Sequence, residues 1–115
     1  MWDGDTFWFQ TADHTRKAKN IVRDQRCAVS LTLDGCDVVV EGTAEKVTDP
    51  DDVAPIAEIW AIRGGWPATP DEHGTGLTAP FNAPGLGSPP WFVYRSTQAA
   101  ATSVTQQGGS TRWTF

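Results

Sequence analysis

Apolar and polar positions alternate in short runs along most of this chain, and a helical period appears in only a few places. Phe7-Trp8-Phe9-Gln10 is aromatic-rich, follows a Gly4-Asp5 turn, and predicts a strand. Thr11 to Thr15 is a polar break with Asp13 and Thr15 as candidate helix caps. Ala18, Ile21 and Val22 then share one face at i, i+3, i+4 spacing. That predicts a short helix from about Thr15 to Asp24 with this face packed inward.

Ala28 to Leu33 alternates as a strand, Asp34-Gly35 is a turn signal, and Val38 to Val47 reads as a longer second strand. In that strand Val39, Glu41, Thr43 and Glu45 fall on one face, and Val38, Val40 and Gly42 on the other. Thr48-Asp49-Pro50-Asp51-Asp52 opens a helix with a cap candidate, an early proline and early acids. Its stripe is Val53, Ile56, Ala57, Trp60 and Ala61, and it stops near Gly64-Gly65.

Residues 64–90 hold six glycines and six prolines and read as a long irregular loop, a lid, binding loop or interface. Trp91 to Arg95 and Ala99 to Thr105 predict strands, Gly108-Gly109 a turn, and Thr111 to Phe115 a last strand with Trp113 and Phe115 on one face. About six strands and two short helices predict a mainly β fold. The expected architecture is a small antiparallel barrel with helices at its rim, in a single domain over residues 1–115.

Composition narrows the function classes. The chain has 115 residues, a net charge of -5 and six tryptophans. An acid excess argues against nucleic acid and against a polybasic membrane anchor. No apolar run is long enough to cross a bilayer, and the acidic start does not read as a signal peptide, so a cytoplasmic location is expected. Cys27 and Cys36 have no partner motif and read as small hydrophobes in a reducing compartment. The tryptophans supply large apolar anchors; Trp8, Trp60 and Trp91 are expected in the core.

Against this acidic background, five of the nine Lys and Arg residues (Arg16, Lys17, Lys19, Arg23 and Arg26) fall within eleven positions. Arg16, Lys19, Asn20 and Arg23 line one helical face. Cations at a helix N-terminus are disfavoured by the macrodipole unless an anion is bound. A helix start flanked by Arg and Lys is a ready phosphate site. Two readings fit: a face that holds the phosphate of a nucleotide-like cofactor, or a solvated basic face.

Other motifs carry less. Asp71-Glu72-His73 are loop neighbours that cannot close a metal site. No Gly-x-Ser-x-Gly elbow is present. Gly74-Thr75-Gly76 and Gly85-Leu86-Gly87 lack the strand and helix context of a dinucleotide fingerprint. No catalytic acid or base stands out.

Several segments together resemble the pyridoxamine 5′-phosphate oxidase-like split barrels. They are Trp2-Asp3-Gly4-Asp5, Phe7-Trp8-Phe9-Gln10-Thr11, Arg16-Lys17-Ala18-Lys19-Asn20-Ile21 and Asp24-Gln25-Arg26-Cys27-Ala28-Val29-Ser30. Val39-Val40-Glu41-Gly42-Thr43-Ala44-Glu45 continues the pattern. The segments Ala79 to Pro84 and Pro89-Pro90-Trp91, with the ending Thr111-Arg112-Trp113-Thr114-Phe115, resemble the actinobacterial branch that uses FMN or the deazaflavin coenzyme F420.

The resemblance implies a split β-barrel homodimer with FMN or F420 in the dimer cleft and a small-molecule substrate that exchanges hydride with it. It implies Arg16, Lys17 and Lys19 as phosphate contacts, Thr11 and Asn20 as secondary contacts, and Trp113 as a pocket wall. Family members carry a further strand before the segment matching Trp2, so the resemblance also implies an N-terminally shortened barrel with an open edge. A non-catalytic module holding flavin, deazaflavin or haem, or a truncated inactive homologue, is the rival reading.

Overall fold

A computed structural model describes residues 1–2, 6–82 and 87–115. The Gly4-Asp5 turn and the Gly85-Leu86 part of the loop lie outside the described residues. The elements run β1 (Phe7–Ala12), α1 (Arg16–Arg23), β2 (Arg26–Leu33), β3 (Cys36–Val47), α2 (Pro50–Arg63), β4 (Thr69–Pro70), β5 (Leu77–Thr78), β6 (Trp91–Thr105) and β7 (Ser110–Thr114).

The strands make one seven-stranded sheet, antiparallel throughout. Its axis is β6. One edge of β6 carries β3, from Val93 to Thr105, with β5 beyond it at Trp91. The other edge carries β1 along Trp91–Ser96 and β7 along Ala100–Val104. Strand β2 lies outside β3, and β4 outside β5. The described strands curl as a split barrel, without a ladder that closes the ring.

The sequence predicts two strands, 91–95 and 99–105, where the structure has one strand of fifteen residues. The polar Ser96-Thr97-Gln98 between them reads as a break. In the fold that segment is held by β3, and a bulge absorbs the irregularity: Glu41 pairs with Ala100 but Gly42 pairs with Gln98. Only glycine suits position 42, since a Cβ there would stand 2.1 Å from the Thr97 carbonyl oxygen.

Two further expectations change. The segment 64–90 is not wholly irregular, since the two-residue strands β4 and β5 pair within it. In α1 only Ala18 is buried; Ile21 is half-buried and Val22 is 86% exposed. An eight-residue helix resting on the sheet through one alanine has no room to bury a second flank.

Helix α2 behaves as its pattern implies. Asp49 caps it, its carboxylate accepting from the Asp51 N–H at 2.9 Å. Val53, Ile56, Ala57 and Trp60 pack into a core with Trp8, Val47, Leu77, Trp91 and Val93, while Ala61, predicted on the stripe, is exposed. Trp91 is fully buried, donates its indole N–H to the Gly87 carbonyl at 3.1 Å, and meets Trp66 edge-on with ring centroids 5.0 Å apart. The core therefore sits under α2 at one end of the sheet. The other end, built from β2, β3, β7 and the second half of β6, is only half covered.

Candidate functional site

Helix α1 is pinned at its start by hydroxyls. The Thr15 hydroxyl donates to the Ala12 carbonyl at 2.9 Å and accepts from the Ala18 N–H at 3.3 Å. Its proton thus committed, it accepts from the Thr11 hydroxyl at 2.6 Å. Thr11 is wholly buried beneath the helix start. There its hydroxyl helps anchor α1.

This anchorage sets which flank of α1 faces the strands. Lys17, Asn20 and Ile21, again at i, i+3, i+4 spacing, face a cavity of about 450 Å³ between α1, β1 and β2. Phe7 and Phe9 of β1 form one wall, and Arg26 to Ser30 of β2 the other. The Lys17 ammonium lies 5.7 Å from the Phe9 ring centroid, within cation–π range. Phe9 in turn stacks on Tyr94, its cross-strand partner, with centroids 5.1 Å apart and planes within 5°. Burial, with the nearby Asp13 carboxylate second, raises the Tyr94 phenol above its usual pKa.

The floor of the cavity carries Cys27, whose Sγ lies 3.4 Å from the Ser96 hydroxyl. Its rim carries Arg26, whose guanidinium pairs with Asp24 at 2.6 Å. Hydrogen bonds from the Arg26 side chain and backbone hold the Asp24 carboxyl down at about 2. Arg26 is correspondingly raised.

The candidate residues separate into groups. Lys17 and Asn20 come together on the cavity. Arg16 and Lys19 are exposed and do not line it. Arg23 donates to the Asn20 amide oxygen at 2.7 Å and so fixes that side chain. Trp113 is 47% exposed and pairs with Ala101. It shares a sheet face with Val29 of the cavity through the register Val29–Val40–Ala101–Trp113, but stands three strand spacings away, roughly 14 Å. It does not line this cavity.

The aromatic wall, Phe7 and Phe9, and the strand residues Cys27 to Ser30 were not singled out from the sequence. Their site role depends on β1 and β2 approaching across the fold, which no local pattern encodes. Among the described residues no group of three or more His, Cys, Asp or Glu side chains is placed to hold a metal ion. Among them, too, no helix is long and apolar enough to cross a membrane.

The chain's sequence matches a known family. The family model described as pyridoxamine 5′-phosphate oxidase matches residues 1–81. The chain belongs to the pyridoxamine 5′-phosphate oxidase family. The matched span contains β1, α1, β2 and β3, hence the whole cavity.

Two solved structures share this family fold. One, described as a general stress protein 26 from Jannaschia sp. CCS1, is 18% identical with a TM-score of 0.57, covering 100% of this chain and 78% of that one. The other is a pyridoxamine 5′-phosphate oxidase-related, FMN-binding protein from Nostoc punctiforme PCC 73102, 11% identical with a TM-score of 0.53, covering 96% of this chain and 71% of that one. At these identities the likeness shows the split-barrel fold. No curated protein matches the chain.

Proposed function

We propose that this chain binds FMN in the cavity between α1, β1 and β2 and serves as a flavin-dependent oxidoreductase for a small-molecule acceptor. The observation that carries the reading is the Lys17 ammonium on a cavity with Phe7, Phe9, Ile21 and Val29 among its walls and Asn20, Arg26 and Ser30 as its polar lining. One end offers positive charge and the side walls offer apolar contact, as a phosphorylated ring cofactor requires. The volume falls in the ordinary range for cofactor sites. The description of the Nostoc punctiforme neighbour as FMN-binding supports FMN as the ligand.

When bound, the flavin supplies hydride transfer. The chain's own residues bind and orient. Lys17 takes the phosphate, and Asn20, held by Arg23, offers a fixed amide beside it. Phe7 and Phe9 exclude water from the adjoining wall. Arg26 is tied to Asp24 and is a rim residue in this arrangement. No side chain is given the part of acid or base.

The reading includes a homodimer. The chain is extended, 49 × 30 × 24 Å, with a radius of gyration of 15.3 Å. A compact domain near this size has roughly 13 Å. Leu33 and Trp113 stand exposed on the same half-covered end of the sheet, an area of the kind a second copy covers.

The sequence resemblance also admits coenzyme F420 at the same cations. Parallel fluorescence titrations with FMN and F420 test both. Saturable FMN binding with weaker F420 binding supports the proposal. Preference for F420 replaces the cofactor, and binding of neither by a folded chain overturns the oxidoreductase reading.

A further inference from the structure

A second cavity, of about 670 Å³, opens beside the first. The two share the same strands in sequence. Val29 lines one and Leu31, two residues on along the same face of β2, lines the other; Phe7 of β1 lines one and Thr6 the other. The chemistry of the walls differs. Leu31, Val40, Trp2 and Phe115 make the second cavity apolar. Thr6, Thr97 and Gln98 are its polar lining, and the Gln98 amide is tied to the Ser96 carbonyl at 2.8 Å.

Among the described residues no charged side chain lines this cavity. The sequence offers no Lys or Arg before Arg16. A phosphate or carboxylate placed here would lose its hydration without a cation to replace it.

We infer that the second cavity binds an uncharged, largely apolar ring compound, and that a phosphorylated or otherwise anionic molecule is excluded from it. That this compound is the flavin's hydride acceptor rests on the FMN reading above; the binding preference does not. A small molecule fits better than a second copy of the chain, because the surface is a recess of ligand-site volume.

The test uses one ring in two charge states. 2-Naphthol and 2-naphthyl phosphate are titrated into the ¹⁵N-labelled chain, with and without saturating FMN, and amide shifts are followed. 2-Naphthol is expected to move Leu31, Val40, Thr97 and Gln98 saturably. 2-Naphthyl phosphate should bind there at least about ten-fold more weakly, a difference of about 1.4 kcal/mol. Leu31→Glu, at a position 38% exposed, should abolish the 2-naphthol shifts while leaving the amide spectrum dispersed and the FMN titration unchanged. Equal or tighter binding of the phosphate at those amides, or no saturable shift with either compound, overturns the inference even where FMN binds. If FMN fails to bind but 2-naphthol maps to these residues, the flavin reading falls and the apolar site stands.

Discussion

Replacing Gly42 by alanine tests the joint on which both halves of the sheet depend. Gly42 sits at the bulge where β3 and β6 change register, and the added Cβ would stand 2.1 Å from the Thr97 carbonyl oxygen and 3.1 Å from the Gln98 Cα. Ordinary contact begins near 3.4 Å, so the strands must part by about 1.3 Å. Both obstructing groups are backbone, and no rotamer change relieves them. Overpacking of this kind costs ~3 kcal/mol, the upper end of its usual range. For a domain of this size that lowers Tm by ~12 °C.

Gly35→Ala is the matched control in the same hairpin. Its φ of +76° strains an alanine, but nothing lies within 4 Å, so the cost is ~1 kcal/mol and ~4 °C. Thermal unfolding followed by circular dichroism reads both. A Gly42→Ala chain that melts no lower than Gly35→Ala would refute the argument, since close strand approach would then not be what selects glycine at 42.

Three other outcomes follow from the contacts. Thr15→Ala removes the cap of α1 and the partner of the Thr11 hydroxyl, and should cost ~1–2 kcal/mol in denaturant unfolding. Trp91→Ala empties the centre of the core under α2 and should cost ~3–5 kcal/mol, read by the same unfolding curve. The Asp24 carboxyl should titrate at about 2 by NMR, and Arg26→Gln should move it back up toward the usual carboxylate range. Because the folded value is depressed, the Asp24–Arg26 contact is present above the unfolded value and is lost only as pH falls through about 2.

Local signals carried much of the fold. The Asp34-Gly35 turn and the alternation on either side give the β2–β3 hairpin, and the Asp49 cap with its apolar stripe gives α2. What was not legible depends on neighbours distant in sequence. Ser96-Thr97-Gln98 reads as an interruption, and only the edges supplied by β3, β1 and β7 keep β6 in one piece.

The candidate site shows the same division. The charge cluster on α1 is visible in sequence, but not which flank meets the strands. The pattern favoured Arg16, Lys19, Asn20 and Arg23, whereas the cap at Thr15 and the contact at Ala18 turn Lys17, Asn20 and Ile21 to the cavity. Thr11, expected near the phosphate, lies buried beneath the helix start with its hydroxyl on Thr15. Trp113 shares the face but not the location.

The central claim is that Lys17, and not the cationic cluster in general, holds a flavin phosphate over this cavity. The most direct measurement is the FMN affinity of Lys17→Gln beside Lys19→Gln, by quenching of flavin fluorescence at fixed low salt. A lost charge-assisted contact is worth ~1.5–3 kcal/mol, so Lys17→Gln should weaken binding by at least about ten-fold. Lys19→Gln, on the solvent flank, should change it by less than about two-fold. Equal weakening by the two substitutions, or none by Lys17→Gln, would contradict the placement of the phosphate at this flank of α1.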